Sequence, residues 1–236
     1  MIAVLVASVV VGVAYLVRRR RIWVGRFREA TPIHKEYWRG RRGETGELLY
    51  VAVGDSAAQG IGASAPDQGY VGILADRIAD RTGETVRVVN LGIVGGTLRT
   101  ALDSELPTFR KLAPDIVTVS IGANNILVFD AAVFERDLRE LLAAMPPHAI
   151  VADLPSFHIL PAERNVRRAN VILRGIAAEF GMTVVPLHAA TSRLSSVIRD
   201  FAGDLFHPND RGYRAWARAF EPAIDARLSQ LADRAR

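Results

Sequence analysis

The chain has 236 residues, half of them apolar and 23% charged, which suits one ordinary domain with a sizeable core plus an appendage and excludes wholesale disorder. It has no cysteine, so disulfides, thiolate nucleophiles and Cys-based metal sites are excluded. The net charge of +5 suggests a nucleic-acid binder, but its distribution does not: residues 1–43 carry ten Arg or Lys against two Glu, whereas the remaining 193 carry 20 basic against 23 acidic residues. The main domain is mildly acidic, and nucleic acid is not expected as a partner.

Residues 1–17, MIAVLVASVVVGVAYLV, contain no charged side chain. As a helix they reach roughly 25 Å, the short end of what spans a bilayer core, and arginines at the end extend that reach by snorkelling. Arg18, Arg19, Arg20 and Arg21 follow the apolar run. A secretory signal and a twin-arginine signal both need their positive charge upstream of it. The segment therefore reads as a single-pass transmembrane helix, and the positive-inside rule places residue 18 onward, with the catalytic domain, in the cytoplasm. Residues 18–46 read as a basic juxtamembrane linker. In it Trp23, Phe27, Tyr37 and Trp38 stand among arginines, either as an interfacial stretch on anionic lipid or as a linker with aromatics packed on the domain. Gly40, Gly43 and Gly46 suggest a flexible boundary before a globular part at 47–236.

That part alternates short β-branched runs with helical stripes. The strand candidates are 48–53, 86–91, 115–121, 149–154 and 182–187, near-continuous apolar runs of the kind buried on both faces of a parallel sheet. Between and after them, Phe134, Leu138, Leu141, Leu142 and Met145 recur at helical spacing, as do Val166, Ala169, Leu173, Ile176 and Phe180, and Trp216, Phe220, Ile224, Leu228 and Leu231. These are core-facing stripes. The pattern predicts a three-layer α/β/α sandwich, with chemistry gathered beyond the C-terminal ends of the strands.

Three short blocks meet that expectation, Gly54-Asp55-Ser56 after the first strand, Gly92 to Thr97 after the second and Gly122-Ala123-Asn124-Asn125 after the third; a fourth, Asp204-Leu205-Phe206-His207, lies near the end, after the fifth strand, and supplies the only Asp–His pair at close spacing. Acyl transfer from an ester needs an activated hydroxyl, a base, a group that orients the base, and donors for the oxyanion. Ser56 ends a strand in a Gly-led turn and supplies the hydroxyl. His207 can take its proton. Asp204, three residues earlier, can reach the other imidazole nitrogen. The backbone N–H groups of Ser56 and Gly95 and the side-chain amide of Asn124 are the candidate oxyanion donors, with Gly95 a glycine so that the backbone approaches substrate without a Cβ in the way.

In this order the blocks resemble the SGNH (GDSL-type) hydrolase superfamily, whose Ser, Gly, Asn and His correspond to Ser56, Gly95, Asn124 and His207, with Asp204 matching the family's Asp-x-x-His. The resemblance covers about residues 48–232. It implies a flavodoxin-like five-stranded parallel sheet of order 2-1-3-4-5. It also implies an esterase, lipase, lysophospholipase, thioesterase or carbohydrate O-deacetylase activity with no metal or organic cofactor. One departure stands in the third block, where Asn125 replaces the usual Asp; tuning rather than loss of activity is expected from it.

The remaining histidines are expected to be structural: His34 in the basic linker, His148 before the fourth strand and His188 after the fifth, while His158 in PSFHILP is placed to line the pocket. No two histidines have a metal-ligand spacing, so no metal site is expected. The leading expectation is a membrane-anchored serine esterase of carboxylic esters, with acyl lipids or lysophospholipids favoured by the anchor. The alternatives are a carbohydrate O-deacetylase or thioesterase of the same fold, or a catalytically silent lipid- or glycan-binding module. An α/β-hydrolase is disfavoured because no Gly-x-Ser-x-Gly surrounds Ser56.

Overall fold

The structure, a computed structural model, describes residues 2–158, 161–192 and 197–234. Five parallel strands, β1 (Leu48–Gly54), β2 (Val86–Asn90), β3 (Ile116–Ser120), β4 (Ile150–Ala152) and β5 (Thr183–Val185), form one sheet of order β2-β1-β3-β4-β5. All five expected strands are present, and the sheet order is the one the family resemblance implied. β4 is shorter than its apolar run because both backbone groups of Leu154 bond a side chain, although the Asp153 N–H still donates to the Val185 carbonyl of β5. Asn170 accepts from the Leu154 N–H and donates to the Leu154 carbonyl, and the Asp153 carboxylate takes the His188 N–H and the Arg174 guanidinium.

The five long helices are α1 (Ile2–Gly43), α2 (Tyr70–Thr82), α3 (Ala131–Ala143), α4 (Ala162–Glu179) and α5 (Asp210–Arg234). Strand side chains alternate between two cores. Val51, Val53, Val117, Val119 and Val151 point to one face, where Phe134, Leu138 and Leu141 of α3 and Val166, Leu173 and Ile176 of α4 cover them. Tyr50, Ala52, Val88, Ile116 and Ile150 point to the other, under Leu74 and Ile78 of α2 and Trp216, Phe220 and Ile224 of α5. The three helical stripes read from sequence are these core faces.

The N-terminal segment differs from its reading as a linker. α1 runs unbroken to Gly43, through Pro32, and its Trp38 is a member of the second core, 3% exposed. The physical reason is tertiary: a helix that buries Trp38 and His34 against the domain gains more than a solvated strand of the same residues would. Gly40 and Gly43 lie in its last turns, and the chain leaves the helix only at Glu44. Among the described residues no helix is long and apolar enough to cross a membrane. The transmembrane reading falls on residues 1–17, where Met1 and most of the side chains lie outside the described residues, and it stays an expectation from sequence.

Candidate active site

The strand order reverses between β1 and β3, and the crevice beyond their C-terminal ends is where the four blocks converge. β1 ends at Gly54 and the chain turns at once, with the Gln59 N–H closing on the Asp55 carbonyl and the Ile61 N–H on the Ser56 carbonyl. Ser56 sits at the start of this turn, 4% exposed. From 151 positions away, His207 is brought to it. The loop Phe201–Pro208 is pinched by an antiparallel bridge between its ends, and the Ala202 N–H donates to the His207 carbonyl at 2.8 Å. Within that loop one oxygen of Asp204 accepts the Phe206 and His207 N–H groups at 3.0 and 3.1 Å. Its other oxygen faces His207 Nδ1 at 2.6 Å. His207 Nε2 lies 2.9 Å from Ser56 Oγ. The three residues picked from sequence thus form one chain of hydrogen bonds: hydroxyl, imidazole, carboxylate.

The fit between the two loops is tight. Gly62, at φ +103°, lies against the histidine loop, where a Cβ would clash with the Pro208 carbonyl oxygen and stand 2.9 Å from His207 Cβ. Burial pushes the Asp204 carboxyl up, but His207 and the two backbone donors outweigh it and hold it below the usual carboxylate range. Asp204 therefore stays ionised toward an imidazolium.

The second and third blocks meet beside this chain. Asn124 donates its amide to the Gly96 carbonyl at 2.9 Å and lies 3.5 Å from the Asp55 carboxylate. Asn124 thereby adjoins both the Gly95-Gly96 turn and Asp55, the neighbour of Ser56. Gly95 has φ +76°, and a Cβ there would meet nothing within 4 Å. Its left-handed backbone is by itself a reason for glycine at this position. Asn125, the departure from the usual Asp, accepts the Leu98 N–H at 3.0 Å through its carbonyl oxygen. A carboxylate is not needed for that bond.

Two buried acids, Asp55 and Glu105, adjoin the turn that carries Ser56. Asp55 accepts the Ala57 N–H at 2.9 Å; burial raises its carboxyl to about 6, against the pull of that N–H and of His207. Glu105 closes the π-helical turn Ala101–Glu105, a role sequence reasoning missed. It accepts the Gly54 N–H at 3.0 Å with one oxygen, while the other is buried without a partner. Burial, with the charge of Asp55, raises Glu105 to about 9, so it is a neutral acid at pH 7. The folded state then holds a proton that the unfolded chain releases near pH 4.5. Stability should fall as pH rises from 4.5 toward 9, by at most about 1.4 kcal/mol per pH unit. Glu105→Gln keeps an acceptor for Gly54 and removes the titration. Its urea midpoint should match the wild type at pH 5 and exceed it at pH 8.

A cavity of about 280 Å³ opens beside Ser56 and His207, walled by Leu127, Phe157, His158, Leu205, Phe206 and Trp216. His158 lines it as expected. Leu205 and His158 are the two non-glycine residues at positive φ among the described residues, 59° and 58°, and both are pocket walls. The other histidines act elsewhere. His188 faces Glu163 at 2.8 Å, His148 donates to the Pro114 carbonyl, and buried His34 donates to the Gln59 carbonyl. Among the described residues no group of His, Asp and Glu is disposed to hold a metal. Two larger hollows, of about 470 and 480 Å³, lie at the opposite end of the sheet, and neither is lined by a Ser–His pair.

The fold is of the α/β class, and a buried serine, an imidazole in contact with it and an apolar cavity beside both lie at its strand ends. The chain belongs to the GDSL-like lipase/acylhydrolase family, whose model matches residues 52–215, and it is an ester hydrolase. Solved structures share the fold. An enzyme described as an alpha/beta hydrolase, from the metagenome of Lake Arreo, is 23% identical with a TM-score of 0.65, covering 77% of this chain and 97% of its own. A lipase/acylhydrolase of Enterococcus faecalis is 21% identical, with a TM-score of 0.63 and coverage of 76% and 96%. An acetylxylan esterase of Geobacillus stearothermophilus is 24% identical, with a TM-score of 0.61 and coverage of 75% and 94%. No curated protein sequence matches this chain.

Proposed function

We propose that the protein is a serine esterase that cleaves carboxylic esters through an acyl-enzyme, with Ser56 as nucleophile, His207 as general base and acid, and Asp204 as its orienter. The observation that carries this reading is the unbroken bond chain from Ser56 Oγ to His207 to Asp204. Ser56 Oγ attacks the ester carbonyl as His207 Nε2 takes its proton. The carbonyl oxygen, now an oxyanion, takes hydrogen bonds from the backbone N–H groups of Ser56 and Gly95 and from the Asn124 amide. His207 then protonates the departing alcohol, and the bond to it breaks. Water, deprotonated by the same nitrogen, attacks the acyl-enzyme; the acid leaves and Ser56 recovers its proton. Every proton is returned, and no cofactor is required.

The cavity walls, Leu127, Phe157, Leu205, Phe206 and Trp216, favour an acyl chain of several carbons over an acetyl group, and hence an acyl lipid over an acetylated sugar. The apolar segment 1–17 followed by Arg18 to Arg21 supports a single membrane anchor with the domain on the cytoplasmic side, a reading that rests on sequence. The test is hydrolysis of a p-nitrophenyl ester series from acetyl to palmitoyl, together with labelling by a fluorophosphonate. Turnover that peaks beyond acetyl, and one label per chain on the peptide holding Ser56, are expected. A folded chain that neither turns over any ester nor takes the label would instead be a binding module.

A further inference from the structure

We infer that Phe27 of the N-terminal helix is a positioning residue of the active site, holding the His207 imidazole in line with Ser56. The inference rests on the esterase reading above. The Phe27 ring meets the imidazole nearly edge to face, with centroids 5.2 Å apart and planes at 76°. Phe206 meets the same imidazole at 5.1 Å and 88°. The base is therefore gripped by two aromatic rings, and one of them comes from a helix outside the residues matched to the family.

The contact is part of a docked surface. Trp23, Phe27, His34 and Trp38 recur at intervals of four, seven and four, so they share one face of α1. At one end of that face His34 Nδ1 and Trp38 Nε1 both donate to the Gln59 carbonyl, at 2.7 and 3.2 Å. Gln59 lies in the turn that carries Ser56, and its N–H donates to the Asp55 carbonyl. At the other end Trp23 packs beside Phe27, with centroids 5.6 Å apart and planes tilted by 51°, and lies on Gly203, where a Cβ would overlap the indole. Gly203 immediately precedes Asp204. One rigid helix thus rests on the serine's turn and on the histidine's loop, the two segments whose separation fixes the Ser56–His207 distance. That geometry also accounts for Gly203 being a glycine.

Phe27 is not among the cavity's walls, so its effect should pass through the imidazole and not through substrate. An imidazole freed on one side samples rotamers that miss Ser56, which lowers kcat and leaves KM alone. The experiment uses the full-length chain and the p-nitrophenyl ester series, with thermal melting as a check on folding. Phe27→Ala is expected to lower kcat about tenfold at every chain length with KM unchanged, Phe27→Leu to lower it about threefold, and Phe27→Tyr, which keeps the ring, to retain it. If Phe27→Ala melts early, Phe27→Leu decides. A wild-type kcat in the folded Ala or Leu variant overturns the inference. So does a loss in Phe27→Tyr as deep as in Phe27→Ala, or a loss that appears in KM or tracks acyl length. Inactivity of the wild type on every ester would sink the esterase reading itself, which is a separate outcome.

Discussion

Replacing Ser56 by alanine is expected to lower kcat/KM for the best p-nitrophenyl ester by at least about a thousandfold and to abolish fluorophosphonate labelling, with little change in thermal stability. The hydroxyl is buried and its partner is the imidazole, so removing it deletes the attacking atom without stranding a backbone group. His207 Nε2 would then face the cavity, where water can take its hydrogen bond. What survives is the activity of the oxyanion donors and of binding alone. Full activity in this variant, measured on a chain that melts like the wild type, would remove Ser56 from the chemistry.

Asp204→Asn should be nearly as severe, about a hundred- to ten-thousandfold in kcat, because it changes a tautomer and not a shape. In the wild type the carboxylate accepts Nδ1–H, which leaves the Nε2 lone pair free for the serine proton. In the variant the oxygen of the new side-chain amide would keep the Phe206 and His207 N–H donors, since only that oxygen can accept both. The amide NH2 then points at Nδ1. The imidazole must accept there and carry its hydrogen on Nε2, where it cannot act as a base. Because serine, histidine and aspartate act as a unit, the double variant with Ser56→Ala should be no slower than Ser56→Ala alone. A double variant slowed further by the full factor of the single Asp204 change would mean that Asp204 acts independently of the serine.

The candidate site was legible in the sequence through its spacings. A serine in a Gly-led turn and an Asn two residues after a glycine each follow a buried strand, and an Asp stands three residues before a His well beyond the last one. The stripes of α3, α4 and α5 were legible for the same kind of reason, since burial imposes a period on apolar residues. What lay outside the sequence depends on distant partners. Glu105 reads as an ordinary surface acid until Gly54 is found 51 positions away, donating to it from the end of β1. Leu205 at positive φ carries no local signal, because the bridge between Phe201 and Pro208 imposes it. The face of α1 was visible in principle as Trp23, Phe27, His34 and Trp38. The arginines between them and Pro32 disguise it as a linker, and nothing local says that Gln59 and Gly203 are there to receive it.

The large side chains that wall the cavity come mostly from chain turns: Leu127 after β3, Phe157 and His158 after β4, and Leu205 and Phe206 beside the histidine. The long helices contribute Ala162 of α4 and Trp216 of α5. Leu127, Leu205 and Phe206 belong to neither core, whereas Phe157 packs against the first. If the cavity receives the acyl chain, its shape can change at Leu127 or Leu205 at little thermodynamic cost, without touching Ser56, His207 or Asp204. A laboratory library confined to positions 127 and 205 should yield many folded variants of altered chain-length preference, with more losses of stability once position 157 is added.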